Sequence, residues 1–281
     1  MMLSGNAKLA GVMGWPVSHS RSPRLHGYWL EHYGIDGAYV PLAVAPENLG
    51  AALAALPKLG FRGCNLTIPH KEAALAHVAK VEPTARIIGA INTVVVDDAG
   101  ALVGSNTDIA GFVANVREGA ATLDTSRRAL VIGAGGAARA VTAGLKTLGF
   151  ARAVVVNRTP ARAESLVRDL ASLGLQLEPY AVAQIHDVLG DISLIVNTTS
   201  LGMSGQPALE LDLAAVRHDT VVTDIVYTPL ETPLLADARA RGLATVDGLG
   251  MLLHQARAGF HAWYGVLPDV TASLRSHMLG G

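Results

Sequence analysis

The sequence has few of the features that mark secreted or membrane-spanning proteins. Cys64 is the only cysteine among 281 residues, so no internal disulfide can form and a reducing compartment is favoured. No apolar run reaches the roughly 18 residues that a membrane-spanning helix needs. Residues 1–6 lack the basic and apolar segments of a signal peptide. We therefore expect a cytoplasmic protein that does not enter a membrane.

Charge and aromatic side chains are also sparse. The 22 Lys and Arg residues nearly balance the 23 Asp and Glu residues, and they are scattered, so nothing predicts a field for nucleic acid or anionic lipid. The ten histidines show no ligand spacing with acids or with the lone cysteine, so we expect no metal site. Half of the residues are hydrophobic, which is enough for a sizeable core.

Short apolar runs alternate with helical patterns along the first half of the chain. The runs at 8–14, 37–44, 61–68 and 91–96 predict strands. The segments 23–33, 46–59 and 69–79 predict helices, and each opens on a proline that suits the first helical turn. This alternation favours a mostly parallel sheet that is covered on both faces.

The same rhythm continues after residue 128. Strands are predicted at 129–132, 153–156, 191–196, 220–226 and 243–246, and a last helical segment at 249–264. Two sheets of about 110–120 residues each predict two α/β domains. A cleft between two such domains is the expected place for a ligand.

A glycine turn at the start of the second half predicts a dinucleotide site. Gly133, Gly135 and Ala138 fit the pattern G-x-G-x-x-[GA], directly after a strand and at the start of a helix. The first glycine makes the tight turn, the second lets backbone approach the pyrophosphate, and the alanine keeps helix and strand close. Glycine turns are common in α/β proteins, so the flanking strand and helix carry the interpretation.

The next strand indicates which dinucleotide is bound. NAD-binding folds usually place an acid about 20 residues on to hold the ribose 2′-hydroxyl. This chain instead has Asn157, Arg158 and Thr159 there, with Arg162 one helical turn later. Guanidinium groups suit a 2′-phosphate through bidentate hydrogen bonds, so NADP is favoured over NAD. Arginines facing water are the alternative, which leaves the missing carboxylate unexplained.

Polar residues gather at strand ends in the first half. Asn65 and Thr67 alternate and therefore share one face of a strand end. Lys71 falls in the first turn of a helix, where the helix dipole disfavours a cation. Asn92 and Asp108 repeat the pattern. A site for a hydroxylated, anionic small molecule accounts for them all.

Each of these residues also has an ordinary structural interpretation. Ser22 before a proline is typical of a helix cap. Lys71 is also compatible with a solvated surface lysine, and Asp108 with a first-turn acid that favours the dipole. Four polar clusters in one domain favour the binding site over these separate explanations.

Together these motifs resemble the shikimate dehydrogenase family from residue 11 to about residue 270. Segments 14–23, 65–72 and 106–108 resemble its substrate motifs, and 133–138 and 157–159 its NADP motifs. Segments 197–203, 224–229 and 248–256 resemble later parts that line the family's cleft. The resemblance implies reversible NADPH-dependent reduction of 3-dehydroshikimate to shikimate, on the route to chorismate and the aromatic amino acids.

The resemblance also implies roles for single residues. Lys71 and Asp108 are expected at the reacting oxygen. The substrate-binding residues implied are Ser20 and Ser22 for the carboxylate, Asn65, Thr67, Asn92 and Gln255 for ring hydroxyls, and Tyr227. The cofactor-binding residues implied are Gly133, Ala134, Gly135, Gly136, Ala137, Asn157, Arg158, Thr159, Arg162, Thr198, Ser200, Gly248 and Met251.

The family arrangement further implies a discontinuous first domain. Residues 1–110 would form the substrate-binding domain, completed by C-terminal helices within 248–281, and residues 111–247 a Rossmann-like NADP-binding domain. The chain is expected to act as a monomer or homodimer on a small molecule. Gly27 and Ile109 depart from the family pattern, and because neither is an expected contact, they affect only local loop shape.

Two other functions compete with this one. A dehydrogenase of the same superfamily acting on quinate or an aminoshikimate is the nearest, although serine at both Ser20 and Ser22 resembles the shikimate-specific members. A cofactor sensor that binds NADP without catalysis is the other. The presence of Lys71 and Asp108 argues against it, because a sensor needs no proton-transfer pair.

Overall fold

The computed structural model describes residues 2–280, which pack into two compact units. The first unit comprises the residues up to Thr107 together with those from Gln255 onward, and the second is Asp108–His254. The α/β class expected from the sequence is confirmed, since each unit holds a six-stranded sheet with helices. The predicted division into domains after residues 110 and 247 stays a prediction.

The first unit carries six strands and the helices that cover them. Its strands are β1 (Lys8–Gly14), β2 (Gly37–Ala43), β3 (Phe61–Leu66), β4 (Lys80–Val81), β5 (Thr93–Val96) and β6 (Leu102–Ser105). Its helices are α1 (Ser22–His32), α2 (Leu49–Ala55), α3 (His70–Ala73), α4 (Pro83–Ile88), the part of α9 (Gly248–Tyr264) from Gln255 onward, and α10 (Ala272–Leu279).

The sheet of the first unit is mixed. Its strand order is β2-β1-β3-β5-β6-β4, with β1 parallel to β2 and β3, and β4 parallel to β6. The pairs β3–β5 and β5–β6 are antiparallel. The last five residues of β1, which pairs with a strand on each side, are buried. The carboxyl ends of β1 and β3 and the amino end of β5 therefore lie at one edge of the sheet.

The antiparallel hairpin β5–β6 was not predicted from the sequence. Asp97 closes it: the Asp97 amide donates to the carbonyl of Ala101, and the Asp97 side chain accepts from the amides of Ala99 and Ala101. Gly100 supplies the left-handed backbone of the turn, with φ of 79°. Asp97, with Gly100 three residues later, is the turn signal that the strand-and-helix alternation concealed.

Two helices predicted in the first half are shorter than expected. The segment 46–59 is broken into α2 between short 3₁₀ turns at Pro46–Asn48 and Pro57–Leu59. The segment 69–79 forms only the four-residue α3 and a 3₁₀ turn at Ala74–His77. Pro57 lacks an amide hydrogen and therefore ends the α-helical hydrogen bonding of α2.

The C-terminal part of the first unit is fixed to its sheet and to α1 by side-chain hydrogen bonds. The Trp263 indole donates to the carbonyl of Val94 at 3.1 Å, and the Tyr264 hydroxyl donates to the carbonyl of Ala38 at 2.9 Å. Arg21 on the N-terminal side of α1 donates to the carbonyl of Met278 in α10. Residues far apart in sequence thus complete one core.

The second unit is a fully parallel sheet. Its strands are β7 (Arg128–Ile132), β8 (Arg152–Val156), β9 (Gln176–Tyr180), β10 (Ile192–Asn197), β11 (Val221–Asp224) and β12 (Ala244–Val246). Its helices are α5 (Asp108–Gly119), α6 (Gly136–Leu148), α7 (Pro160–Asp169), α8 (Pro233–Ala240) and the part of α9 up to His254.

The strand order of this sheet is β9-β8-β7-β10-β11-β12. This is the order of the Rossmann fold, in which the chain reverses direction across the sheet between its first and fourth strands. That reversal lies here between β7 and β10, and ligands of such sheets bind beyond the carboxyl ends of the two strands at that point. The edge strand β9 was missed by the sequence analysis because Glu178 and Pro179 interrupt its apolar pattern.

No helix among residues 2–280 is both long enough and apolar enough to cross a membrane. The same residues contain no group of three or more His, Cys, Asp or Glu side chains placed to hold a metal ion.

Candidate functional site

The glycine turn after β7 has the geometry of a phosphate cradle. Gly133 has φ of +117°, and a Cβ there would lie 2.4 Å from Thr198 Oγ1, so only glycine fits. At Gly135, by contrast, no atom of the described residues, apart from Gly135 and its two chain neighbours, lies within 4 Å of a built Cβ. Ala138 is fully buried, and its small side chain allows α6 to lie close to β7. A dinucleotide pyrophosphate therefore fits at Gly135, in front of the α6 amides.

Ala134, Gly136 and Ala137 complete this turn and the first residues of α6. The half-buried Gly136 and Ala137 stand where the amides of the first helical turn have no intrahelical acceptor. The Gly133 amide donates to the carbonyl of Val156 at 2.8 Å, which links the turn to β8.

The loop from β8 to α7 carries the two arginines expected at the 2′-phosphate. Asn157 Nδ2 donates to the carbonyl of Thr159 at 3.0 Å, so the loop is ordered by its own side chain. Arg158 and Arg162 are exposed, and the Arg162 amide donates to the Thr159 carbonyl. The strand before them ends on Val156 without an acid. These residues therefore fit NADP better than NAD.

The loop after β10 closes the other side of the glycine turn. The Thr198 amide and hydroxyl both donate to the carbonyl of Ile132, at 2.9 and 2.8 Å. Asn197 Oδ1 accepts from the amide and hydroxyl of Thr199, and Ser200 is exposed. The loop is therefore fixed by side chains of its own sequence.

A buried carboxylate joins this loop to the one after β11. Asp224 is 1% exposed and accepts from the Val226 amide, Asn197 Nδ2 and the Thr232 hydroxyl. Burial raises the pKa of Asp224 above its ordinary value, against the lowering effect of these three donors. Thr232 also caps α8. Asp224 thus determines the course of the loop that carries Tyr227, which is half-buried.

Two expected cofactor residues lie at the start of α9. A Cβ at Gly248 would lie 2.5 Å from the carbonyl oxygens of Ile225 and Val226, so this glycine allows close contact between two backbone segments. Met251 is buried one turn later. Both belong to the second unit, like the glycine turn.

In the first unit, Ser20 lies in the loop between β1 and α1, and Ser22 is the first residue of α1. The Ser20 hydroxyl accepts from the Ser22 amide at 3.3 Å. Ser22 is buried but is not the helix cap: the N-cap residue is Arg21, and no side chain caps α1. The capping interpretation of Ser22 is therefore wrong.

The side-chain amides of Asn65, Asn92 and Gln255 belong to one buried polar network. Asn65 Nδ2 donates to the Asn92 carbonyl and to Thr93 Oγ1, both at 3.1 Å. Asn92 Oδ1 accepts from the Thr107 amide at 2.8 Å, and Asn92 Nδ2 donates to Gln255 Oε1 at 3.2 Å. Thr93 and Thr107 connect these amides through their hydroxyls. The network fixes how each amide is oriented.

Lys71 is positioned by backbone and by its neighbour. It lies in α3, half-buried, and its carbonyl accepts from the Ile91 amide at 2.8 Å. The buried His70 ring shares a 2.8 Å hydrogen bond with the carbonyl of Val44. Thr67, also half-buried, follows β3, and its amide donates to the carbonyl of Met13 at 2.9 Å. Lys71 is thus on a rigid support, at the same sheet edge as Asn65.

Asp108 is the first residue of α5 and belongs to the second unit. It is 5% exposed and lies in the first turn of the helix, where an acid is favoured by the helix dipole. Cys64 precedes Asn65 in β3, and burial raises the pKa of its thiol far above the ordinary range. Cys64 is therefore an inert core residue.

Three side chains of the polar network were not among the predicted site residues. Thr93 and Thr107 lie beside the predicted residues Asn92 and Asp108, but no role was expected for either. Tyr39, whose hydroxyl donates to Asn65 Oδ1 at 2.6 Å, lies 26 residues before its partner. The register β2–β1–β3 brings the two together, and no local pattern predicts that contact.

Comparison with known proteins identifies relatives along nearly the whole chain. Residues 12–94 match a family described as the shikimate dehydrogenase substrate binding domain, and residues 118–210 one described as shikimate / quinate 5-dehydrogenase. The chain is 56% identical over 283 residues to a shikimate dehydrogenase (NADP(+)) of Rhodospirillum rubrum, with 99% of each covered.

Solved structures are similar as well. Shikimate 5-dehydrogenase of Thermus thermophilus in complex with NADP(H) and shikimate is 38% identical with a TM-score of 0.84, over 97% of this chain and 98% of that one. A quinate dehydrogenase from Corynebacterium glutamicum in complex with NAD is 33% identical with a TM-score of 0.89, over 97% and 99%. Shape alone therefore does not separate the two substrates.

Proposed function

The chain belongs to the shikimate dehydrogenase family, and we propose that it catalyses the reversible NADPH-dependent reduction of 3-dehydroshikimate to shikimate. The observation that carries the proposal is the polar network of Asn65, Asn92 and Gln255 at one edge of the first sheet. It gathers oriented amides for a polyhydroxylated ring. The relative from Rhodospirillum rubrum, named a shikimate dehydrogenase (NADP(+)), supports the same substrate.

The cofactor part of the proposal rests on the second unit. Gly133, Ala134, Gly135, Gly136 and Ala137 would hold the pyrophosphate through backbone amides. Arg158 and Arg162 would bind the 2′-phosphate, with Asn157 and Thr159 ordering their loop. Thr198, Ser200, Gly248 and Met251 would line the remaining part of the dinucleotide site. Bound NADPH supplies the hydride that reduces the ketone.

The substrate part rests on the first unit and on Tyr227. Ser20 and Ser22 would bind the substrate carboxylate through their hydroxyls. Asn65, Thr67, Asn92 and Gln255 would bind ring hydroxyls. Since the buried amides are already oriented by neighbouring residues, little conformational entropy is lost when the ring binds.

The reaction also needs a proton. As a hydride reaches the carbonyl carbon, negative charge develops on the carbonyl oxygen and a proton must arrive there. In the proposed mechanism the Lys71 ammonium donates this proton during reduction, and neutral Lys71 accepts it from the substrate hydroxyl during oxidation. Asp108 would orient the ammonium.

Replacement of the pair tests the mechanism. Lys71→Ala should lower kcat by roughly 10²–10⁴-fold, the usual contribution of a positioned acid or base, and should leave the dissociation constant of NADP unchanged. Asp108→Asn keeps the shape and removes the charge, so kcat should also fall. The measurement is absorbance of the nicotinamide band with shikimate as substrate, beside a cofactor-binding titration. Lys58→Ala, an exposed lysine of the same unit, is the matched control. Near-normal kcat in Lys71→Ala would contradict the assignment.

Quinate is the second candidate substrate, because the similar structure from Corynebacterium glutamicum is a quinate dehydrogenase in complex with NAD. Two features favour shikimate and NADP here. Serine stands at both Ser20 and Ser22, and two arginines replace the ribose-binding acid. A parallel assay with shikimate and quinate, each with NADP and NAD, separates the candidates.

The proposal extends to location and assembly. The single buried thiol is compatible with the cytoplasm, and we expect a monomer or homodimer there. Cell fractionation and light scattering test these two points.

A further inference from the structure

Tyr39 is a buried tyrosine whose hydroxyl contacts an expected substrate residue. It lies in β2, with 6% of its surface exposed. Its hydroxyl donates to Asn65 Oδ1 at 2.6 Å, a short hydrogen bond between two buried side chains.

Most of the hydrogen-bonding capacity of the Asn65 side chain is already used within the protein. A side-chain amide has two N–H donors and an oxygen with two lone pairs. Both donors of Asn65 are used, on the Asn92 carbonyl and on Thr93 Oγ1. One lone pair of Oδ1 is used by Tyr39. What remains for a ligand is a single acceptor site on Oδ1, so a ligand hydroxyl at Asn65 must donate.

The Tyr39 ring is itself held from behind. It stacks on the His26 ring with 3.8 Å between centroids and planes only 2° apart. His26 is enclosed by Trp29 at 5.7 Å and Trp263 at 5.8 Å. Trp263 is anchored by its hydrogen bond to the Val94 carbonyl. The phenol therefore cannot turn away from Asn65 without opening an aromatic core.

We propose that Tyr39 is a positioning residue that holds the Asn65 amide as an acceptor for one substrate hydroxyl. The inference rests on the proposed function, since it takes Asn65 as a substrate contact. Tyr39 itself touches no reacting atom. Its effect should therefore appear in KM for the polyol substrate, while kcat and the KM for NADP remain as in the wild type.

The test is a double-mutant cycle with a matched control. Tyr39→Phe removes only the hydroxyl and keeps the ring against His26. Tyr264→Phe is the control, because it removes another tyrosyl hydroxyl of the same unit that donates to a backbone carbonyl, that of Ala38. Tyr39→Phe should raise KM for shikimate about threefold to tenfold, the effect of one lost neutral hydrogen bond, whereas Tyr264→Phe should not change it.

The cycle is completed with Asn65→Ala and the double variant. If Tyr39 acts through Asn65, adding Tyr39→Phe to Asn65→Ala should leave KM unchanged. Equal KM effects of Tyr39→Phe in both backgrounds, or the same KM shift in Tyr264→Phe, would overturn the inference.

Failure of the proposed function is distinguishable from failure of this inference. If the wild type does not oxidise shikimate, the proposed function fails. The double-mutant cycle is then measured by the thermal unfolding of the same four proteins. Non-additive losses in the midpoint of unfolding for Tyr39→Phe and Asn65→Ala would support the positioning contact. Additive losses would overturn it.

Discussion

The core of the first unit contains an uncharged histidine, which should make the stability of this unit depend on pH. His26 is fully buried among the rings of Trp29, Tyr39, Phe260 and Trp263, none of which is charged. Within the described residues, 2–280, neither of its ring nitrogens has a hydrogen-bond partner. Burial therefore lowers the pKa of His26 from 6.5 to about 3.

The direction of the effect follows from proton binding. Between pH 6.5 and pH 3 the unfolded chain takes up a proton at His26 that the folded chain does not. The folded state is thus fully stabilised by this group above pH 6.5 and loses that stability as the pH falls toward 3. At pH 5 the loss amounts to about 2 kcal/mol, and at pH 7 to only about 0.2 kcal/mol.

His26→Phe removes the titrating group and keeps a ring against Tyr39. Between pH 7 and pH 5, His26 should lower the free energy of unfolding of the wild type by about 2 kcal/mol. The variant should lack this part of the decrease. Urea unfolding followed by tryptophan fluorescence is the suitable assay, since all three tryptophans, at positions 15, 29 and 263, lie in the first unit.

His261→Gln is the control, because His261 is an exposed histidine on α9 of the same unit. If the phenylalanine side chain is too large for the site, His26→Leu is the variant to measure instead. The same pH dependence in wild type and both His26 variants would refute the argument.

Three further outcomes are expected. Replacing Arg158 and Arg162 with alanine should weaken NADP binding about ten- to hundredfold per lost charged contact and leave NAD use nearly unchanged. Arg168→Ala, on the same helix as Arg162, is the control. An unchanged ratio of NADP to NAD activity would contradict the cofactor assignment. The value of kcat/KM for shikimate should exceed that for quinate by at least roughly a hundredfold, because quinate adds a hydroxyl without a partner beside the carboxylate. Comparable values would favour a quinate dehydrogenase. Asp224→Ala should lower the free energy of unfolding by about 3 kcal/mol and remove the hydrogen-exchange protection of the Val226 amide, which donates to that carboxylate. Retained protection of this amide would show that the loop does not depend on Asp224.

Local patterns were sufficient for much of the second unit. The strand at 129–132, the glycine turn and the start of the helix after it are specified by residues close together in sequence. The structure has the strand at Arg128–Ile132 and the helix at Gly136–Leu148. A fully parallel sheet buries its strands on both faces, so its strands read as continuous apolar runs. The absence of an acid after β8 is likewise a local feature, visible without any fold.

In the first unit, local patterns predict only part of the sheet. Alternating strands and helices predicted the strand at 8–14, which the structure has as Lys8–Gly14. They did not predict the antiparallel hairpin β5–β6, although its turn is local, because an alternation of strands with helices predicts parallel strands joined by crossovers.

The polar network of Asn65 was decided by tertiary structure. The sequence by itself determined which residue types were present for binding a polyol and a phosphorylated dinucleotide. Only the register of β2, β1 and β3 places the Tyr39 hydroxyl on Asn65, and only burial makes His26 neutral. Hydrogen-bond partners and desolvation are properties of a site's three-dimensional neighbours, which the chain supplies from distant positions.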